Sequence, residues 1–106
     1  MSMTYSEMVE KSKAYNIAGW SAQGAWNPIP AARAEGVYFW DANGKRYIDL
    51  SAMLINVNLG HGHPAVVKAI QEQAAGITYV KPTITTEPRA ILGEMLAKIE
   101  IGRAHV

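Results

Sequence analysis

Cysteine is absent from this chain, so disulfides, zinc–thiolate centres and thiol nucleophiles are excluded. Charge is sparse as well. Ten Lys and Arg stand against nine Asp and Glu, a net charge of +1, and no stretch concentrates the basic residues. Without a basic face to gather phosphates, nucleic acid and an anionic membrane surface are excluded as main partners. No apolar run approaches the roughly 20 residues that cross a bilayer. Met1-Ser2-Met3-Thr4 does not open the basic-then-apolar pattern of a signal peptide. Repeats and low-complexity tracts are missing too. A cytoplasmic chain is the expectation. What remains is ordinary globular material: 49% hydrophobic and 18% charged residues in a length of 106. One small domain of that size buries roughly two-thirds of its unfolded surface.

Local signals divide the chain. Thr4 with Glu7 three residues on has the form of a capping box, and Met3 with Met8 that of a hydrophobic staple, so a helix is predicted from Thr4 to Tyr15. Residues 16–30 hold Trp20, Trp26 and Pro28-Ile29-Pro30. Proline removes donors and fixes φ, which makes this an extended, irregular segment, and its tryptophans are expected to lie against a surface rather than in water. Val37-Tyr38-Phe39-Trp40 and Arg46-Tyr47-Ile48-Asp49-Leu50 are aromatic and β-branched, and Asp41-Ala42-Asn43-Gly44-Lys45 separates them. Asn-Gly tolerates the positive φ of tight turns, so residues 36–50 are predicted to form a β-hairpin. An apolar run broken by Asn56 and Asn58 leads to Gly60-His61-Gly62-His63-Pro64. Pro64 suits the first turn of a helix carrying Val66, Val67, Ile70 and Gln73 and stopped at Gly76. After a second extended stretch, Thr85 or Thr86 caps a last helix with Pro88 in its first turn and an apolar face of Ile91, Leu92, Met95, Leu96 and Ile99. The order is α+β: N-terminal helix, extended loop, β-hairpin, two helices.

Chemistry is harder to find. Gly60-x-Gly62-x-x-Ala65 has dinucleotide-loop spacing, but the two Asn before it do not suit a buried parallel strand and no acidic residue follows at the required distance. His61 and His63 could face a metal, with Asp49 the nearest upstream acid, yet a working site needs further ligands. Hydrogen bonding of these imidazoles to turn backbone is the expected arrangement. Asp41-Ala42-Asn43-Gly44 has a passing likeness to a calcium loop but lacks its spacing and its terminal Glu. No Ser occupies Gly-x-Ser-x-Gly, and no Lys stands in an apolar stretch that would lower its pKa for Schiff-base work. Residue spacing alone therefore assigns no catalytic, cofactor-binding or metal-ligating residue.

Three blocks taken together say more. Residues 34–50, from Ala34-Glu35-Gly36 to Ile48-Asp49-Leu50, then Asn58-Leu59-Gly60-His61-Gly62-His63-Pro64 with Val67, Ala69, Ile70 and Gln73, then Thr85-Thr86-Glu87-Pro88-Arg89 with Leu92, Leu96, Ala97 and Ile99, resemble successive segments of class III pyridoxal-phosphate-dependent aminotransferases, in order and spacing. The resemblance covers residues 4–99 and implies the N-terminal part of an α/β enzyme of PLP-dependent transferase fold type I. Such an enzyme is a homodimer that moves an amino group from an amine or amino acid to a 2-keto acid. Trp20-Ser21-Ala22-Gln23-Gly24-Ala25-Trp26-Asn27-Pro28 resembles ω-amino-acid and amine:pyruvate transaminases. The same resemblance implies that Trp20, Leu54 and Ile55 line the substrate pocket and that Pro82 and Thr83 reach the partner subunit's pocket. It also implies that the groups holding pyridoxal phosphate, the Schiff-base lysine among them, lie outside this chain, so that residues 1–99 are an incomplete domain, inactive alone. The competing expectation is a small non-enzymatic binding or dimerisation module. Residues 100–106, Glu-Ile-Gly-Arg-Ala-His-Val, depart from the family. They resemble the translation of a common sequencing-library adapter, AG ATC GGA AGA GCA CAC GTC, and are expected to be a non-native read-through tail.

Overall fold

In the computed structural model, residues 3–99 are described; the expectation for residues 100–106 lies outside them. Helix α1, Tyr5–Tyr15, begins where the capping box places it. Thr4 Oγ1 accepts from Glu7 N–H at 3.3 Å, and Glu7 Oε2 accepts from Thr4 N–H at 2.8 Å. Two otherwise orphan donors are thus satisfied, a device whose cap residue stabilises a helix by about 1 kcal/mol. The helix stops at Asn16, where the backbone turns extended.

Beyond the irregular loop the structure has three strands where a two-stranded hairpin was predicted. β1 (Ala31–Glu35), β2 (Tyr38–Asp41) and β3 (Arg46–Ile48) form an antiparallel sheet in chain order. The sequence Ala-Ala-Arg-Ala-Glu contains no β-branched or aromatic residue and is poor in strand formers; pairing with β2 makes it a strand. Its register shifts by one between Ala31 and Arg33, a bulge. The β2–β3 turn also differs in detail. Asn43 keeps an ordinary φ, and Gly44 alone takes the positive one, +82°. This is a three-residue loop with glycine in the left-handed position.

Alternation along the strands sorts the aromatic rings onto two faces. On one, Arg33 lies 3.5 Å from the Trp40 ring centroid and Arg46 4.6 Å from that of Tyr38. On the other, Phe39 stacks on Tyr47 at 4.9 Å. Asp41 is 4% exposed and closes the turn. Its Oδ1 accepts from the N–H groups of Asn43 and Lys45, and its Oδ2 from the Tyr47 hydroxyl at 3.0 Å. Burial pushes this carboxyl up, but the Lys45, Tyr47 and Asn43 hydrogen bonds outweigh it and hold the pKa below the ordinary value.

Ala52–Ile55 forms a single helical turn, α2, followed by α3 (Pro64–Gly76) and α4 (Glu87–Ile99). The last two fall where the sequence predicts them. The chain divides into two compact units between Val67 and Lys68. Among the described residues no hydrophobic side chain of the core type is buried. The amphipathic faces of α3 and α4 are therefore open: Ile70 is 63% exposed and Leu92 56%. No described helix is long and apolar enough to cross a membrane.

Candidate functional site

The residues after β3 do something costly. Ala52, Met53, Leu54 and Ile55 all have positive φ, 49°, 46°, 57° and 68°. α2 is thus a turn of left-handed helix built without glycine. Each such residue costs roughly 1–2 kcal/mol relative to the right-handed form, because Cβ crowds the following carbonyl. Conformations of this kind persist only where surrounding structure over-determines them.

Asp49 is bonded to this turn and to its surroundings. Its backbone N–H donates to Val37 O at 2.9 Å, which joins it to the β1–β2 turn. Its Oδ1 accepts from the Met53 N–H at 3.1 Å and from the Ser51 hydroxyl at 3.3 Å. Its Oδ2 lies 2.8 Å from His61 Nε2. A carboxylate only accepts, so the imidazole carries the proton on Nε2. The Asp49 side chain is 4% exposed and the His61 ring 11%. The Met53 N–H, followed by the His61 and Ser51 bonds and against burial, holds the Asp49 pKa below the ordinary carboxylate value.

His61 is anchored in turn by its backbone, which exchanges two hydrogen bonds with Gly36 at 3.0 and 2.8 Å. Gly60, at φ +92°, lies so close that a Cβ there would meet Gly36 Cα and O at 3.4 Å. Within α2, Asn56 Nδ2 donates to Met53 O at 2.8 Å, and the N–H groups of Asn56 and Val57 both donate to Ala52 O. The expectation that the histidines would bond turn backbone needs correction: the His61 ring pairs with a carboxylate. His63 Nδ1 is buried and has no hydrogen-bond partner among the described residues. No group of three or more potential ligands that could hold a metal occurs among those residues.

Of the side chains expected at a pocket, Leu54 and Ile55 share α2 and are 63% and 75% exposed. Trp20 is 94% exposed at φ +60°. Its expected resting surface is not supplied by the described residues. Its loop is closed by Gln23, whose side chain accepts from Ala18 N–H at 2.9 Å and donates to Asn16 O at 3.0 Å. Pro82 and Thr83 lie in a turn closed by the Ile84 N–H to Lys81 O bond at 2.9 Å. Leu54 and Ile55 thus share α2, Pro82 and Thr83 share one turn, and Trp20 stands on neither. Asp49 and the ring of His61, set beside each other in the sequence only as a metal possibility, carry the geometry as a hydrogen-bonded pair, and Gln23 had no assigned role. The signal available for Asp49 was its place at the end of a strand before an apolar, glycine-free run.

The described residues do not fit pyridoxal phosphate. Every lysine among them is exposed, so none is desolvated for a Schiff base. Lys68 and Lys98 pair with Glu72 and Glu94 on their own helices, and Lys45 lies over the Tyr47 ring.

An α+β arrangement of this kind occurs in solved transaminases. The structure is similar to that of taurine:2-oxoglutarate aminotransferase from Bifidobacterium kashiwanohense, described in complex with PLP and glutamate, with a TM-score of 0.86 and 37% identity over 93% of this chain and 22% of that one. A thermostable (S)-enantioselective ω-transaminase from Thermomicrobium roseum gives 0.85 and 32% identity over 96% of this chain and 24% of that one. Among curated relatives, an acetylornithine aminotransferase from Methanosarcina acetivorans is 37% identical over 90% of this chain and 23% of its own length. A glutamate-1-semialdehyde 2,1-aminomutase from Polaromonas naphthalenivorans is 47% identical over 63% of this chain and 15% of its own. The profile of the family Aminotransferase class-III matches residues 20–106. The chain belongs to the class III aminotransferases, a pyridoxal-phosphate-dependent family, and spans less than a quarter of the length of these curated relatives.

Proposed function

We propose that this chain is the N-terminal segment of an enzyme that transfers an amino group from an amine or amino acid to a 2-keto acid through pyridoxal phosphate. The match of residues 20–106 to the family carries this reading. In it, the segment supplies pocket wall and scaffold, and the rest of the enzyme supplies the groups that hold the cofactor. Leu54 and Ile55 face the substrate from the left-handed turn, with Trp20 from its loop. Pro82 and Thr83 reach the pocket of a second subunit in a cytoplasmic homodimer. The exposed faces of α3 and α4 are consistent with burial against such neighbours, since amphipathic helices draw most of their stability from packing. The solved ω-transaminase relative favours an amine donor of the ω-transaminase type.

The test is direct. Full-length protein supplied with pyridoxal phosphate is assayed for amino transfer from a panel of amines to pyruvate and 2-oxoglutarate. Turnover with one pair supports the reading, and none with any pair refutes it. The 106-residue chain alone is expected to show no turnover and no borohydride-trappable lysine adduct. Ultracentrifugation of the full-length protein reports the dimer.

A further inference from the structure

Four consecutive non-glycine residues in the left-handed region need a cause, and the structure shows one. The Asp49 carboxylate is nearly buried and uses one oxygen on the Met53 N–H, inside the strained turn, and the other on the His61 ring. His61 is fixed independently through its backbone pairing with Gly36 at the β1–β2 turn. The carboxylate therefore ties the strained turn to the sheet, across a separation of 12 residues from His61. The side chains that this turn throws outward are Leu54 and Ile55. We infer that the Asp49–His61 pair is a clasp that holds Ala52–Ile55 left-handed and so sets the shape of the substrate-pocket wall formed by Leu54 and Ile55. This rests on the reading that these two side chains are pocket wall.

Asp49 and His61 are then positioning residues: neither touches substrate, and both fix the size of donor the wall admits. Without the clasp the turn relaxes toward right-handed backbone, and Leu54 and Ile55 swing away from their present directions. Two consequences separate this role from general stability. Loss of the clasp mimics a change in the wall itself. It is also repaired by glycine within the turn, which takes positive φ without the Cβ clash.

The experiment uses the full-length, cofactor-loaded enzyme and compares kcat/KM for a bulky donor, 1-phenylethylamine, with that for a small one, isopropylamine. Leu54→Ala calibrates the wall. Asp49→Ala and His61→Phe are each expected to shift the bulky-to-small ratio at least about five-fold, the scale of a small change in an apolar pocket, mainly through KM. Asp49→Ala combined with Leu54→Ala should give no more than the larger single effect. Asp49→Asn keeps Oδ1 as the acceptor for Met53 and offers Nδ2–H to His61 Nε2 in the other imidazole tautomer, so both clasp bonds persist and the ratio should stay within about two-fold of the parent. Ala52→Gly placed in the Asp49→Ala background should return the ratio toward the parent value. Asp41→Ala, which breaks the other buried carboxylate in the sheet, should lower Tm and leave the ratio alone. If Asp49→Ala does not fold, His61→Phe with and without Ala52→Gly decides the matter by the same ratio.

A ratio unmoved by either clasp variant, while Leu54→Ala moves it, overturns the inference and leaves the wall reading standing. A ratio unmoved by Leu54→Ala and Ile55→Ala in an active enzyme overturns the wall reading and the inference with it. A parent inactive with every donor and acceptor of the panel overturns the proposed function itself, and a parent that takes other donors is assayed with the bulkiest and smallest donors it accepts.

Discussion

The sheet and the last two helices meet a shortage of buried apolar surface in opposite ways. The sheet satisfies itself. Arginines lie on Trp40 and Tyr38, Phe39 stacks on Tyr47, and two nearly buried carboxylates, Asp41 and Asp49, gather backbone and side-chain donors around them. Helices α3 and α4 do not. Their apolar faces are open, Val67 40% and Ile99 73% exposed. Their own ion pairs are the exposed Lys68–Glu72 and Lys98–Glu94 contacts, each of a kind that stabilises by about 0.3–0.5 kcal/mol. Local polar and cation–π contacts thus tie the strands of the sheet to one another, although Ile48 on β3 is itself 61% exposed, whereas an amphipathic helix gets little from itself and waits for a partner.

The largest effect expected from this contrast is in proteolysis of the chain alone. Trypsin should cut after Lys68 and Arg89 roughly a hundred-fold faster than after Arg33 and Arg46, because cleavage follows local opening. Peptide mapping by mass spectrometry reads it, and equal rates would break the comparison. In the full-length enzyme the difference should shrink as the helix faces are covered.

Next in size, Gly60→Ala is expected to cost the full-length protein about 2 kcal/mol in a denaturant titration, since a positive φ and a tight backbone approach to Gly36 both oppose a Cβ. Gly44→Ala has the positive φ but open space around it and should cost about 1 kcal/mol. Equal losses would show that the Gly36–His61 approach contributes nothing beyond strain.

Acid should divide the two regions as well. The folded Asp41 and Asp49 carboxyls both titrate below their ordinary value. A depressed folded pKa stabilises the fold above the unfolded pKa, near 4, and that contribution is lost as pH falls through the lower folded value. Amide exchange by NMR should therefore show Lys45 and Met53 losing protection below about pH 4, while the exchange of α3 amides changes little. The reverse order would contradict the carboxylate account of the sheet. The smallest effects belong to single surface contacts. Thr4→Ala should lower stability by about 1 kcal/mol through the lost cap, and Lys68→Ala by at most about 0.5 kcal/mol, both by thermal melts.

Much of the fold was legible along the chain. Thr4 with Glu7, Pro64 with Gly76, and Pro88 after the threonines mark helix ends with residues whose chemistry acts within one turn, so no distant partner was needed to find them. Gly44 marks the β2–β3 turn for the same reason. β1 was not legible, because Ala31–Glu35 becomes a strand only by pairing with β2. Neither was the left-handed turn. Ala, Met, Leu and Ile are ordinary right-handed helix formers, and nothing in their own identities asks for positive φ.

The sequence by itself determined the helix caps, the aromatic hairpin and the order of segments that marks the family. Each is a property of neighbouring residues or of their succession. Tertiary structure decided the rest: that Asp49 meets His61, that Gly60 passes against Gly36, and that Leu54 and Ile55 are turned outward on strained backbone. Those outcomes depend on bonds between groups far apart in the chain, whose combined strength outweighs the local preference of every residue between Ala52 and Ile55.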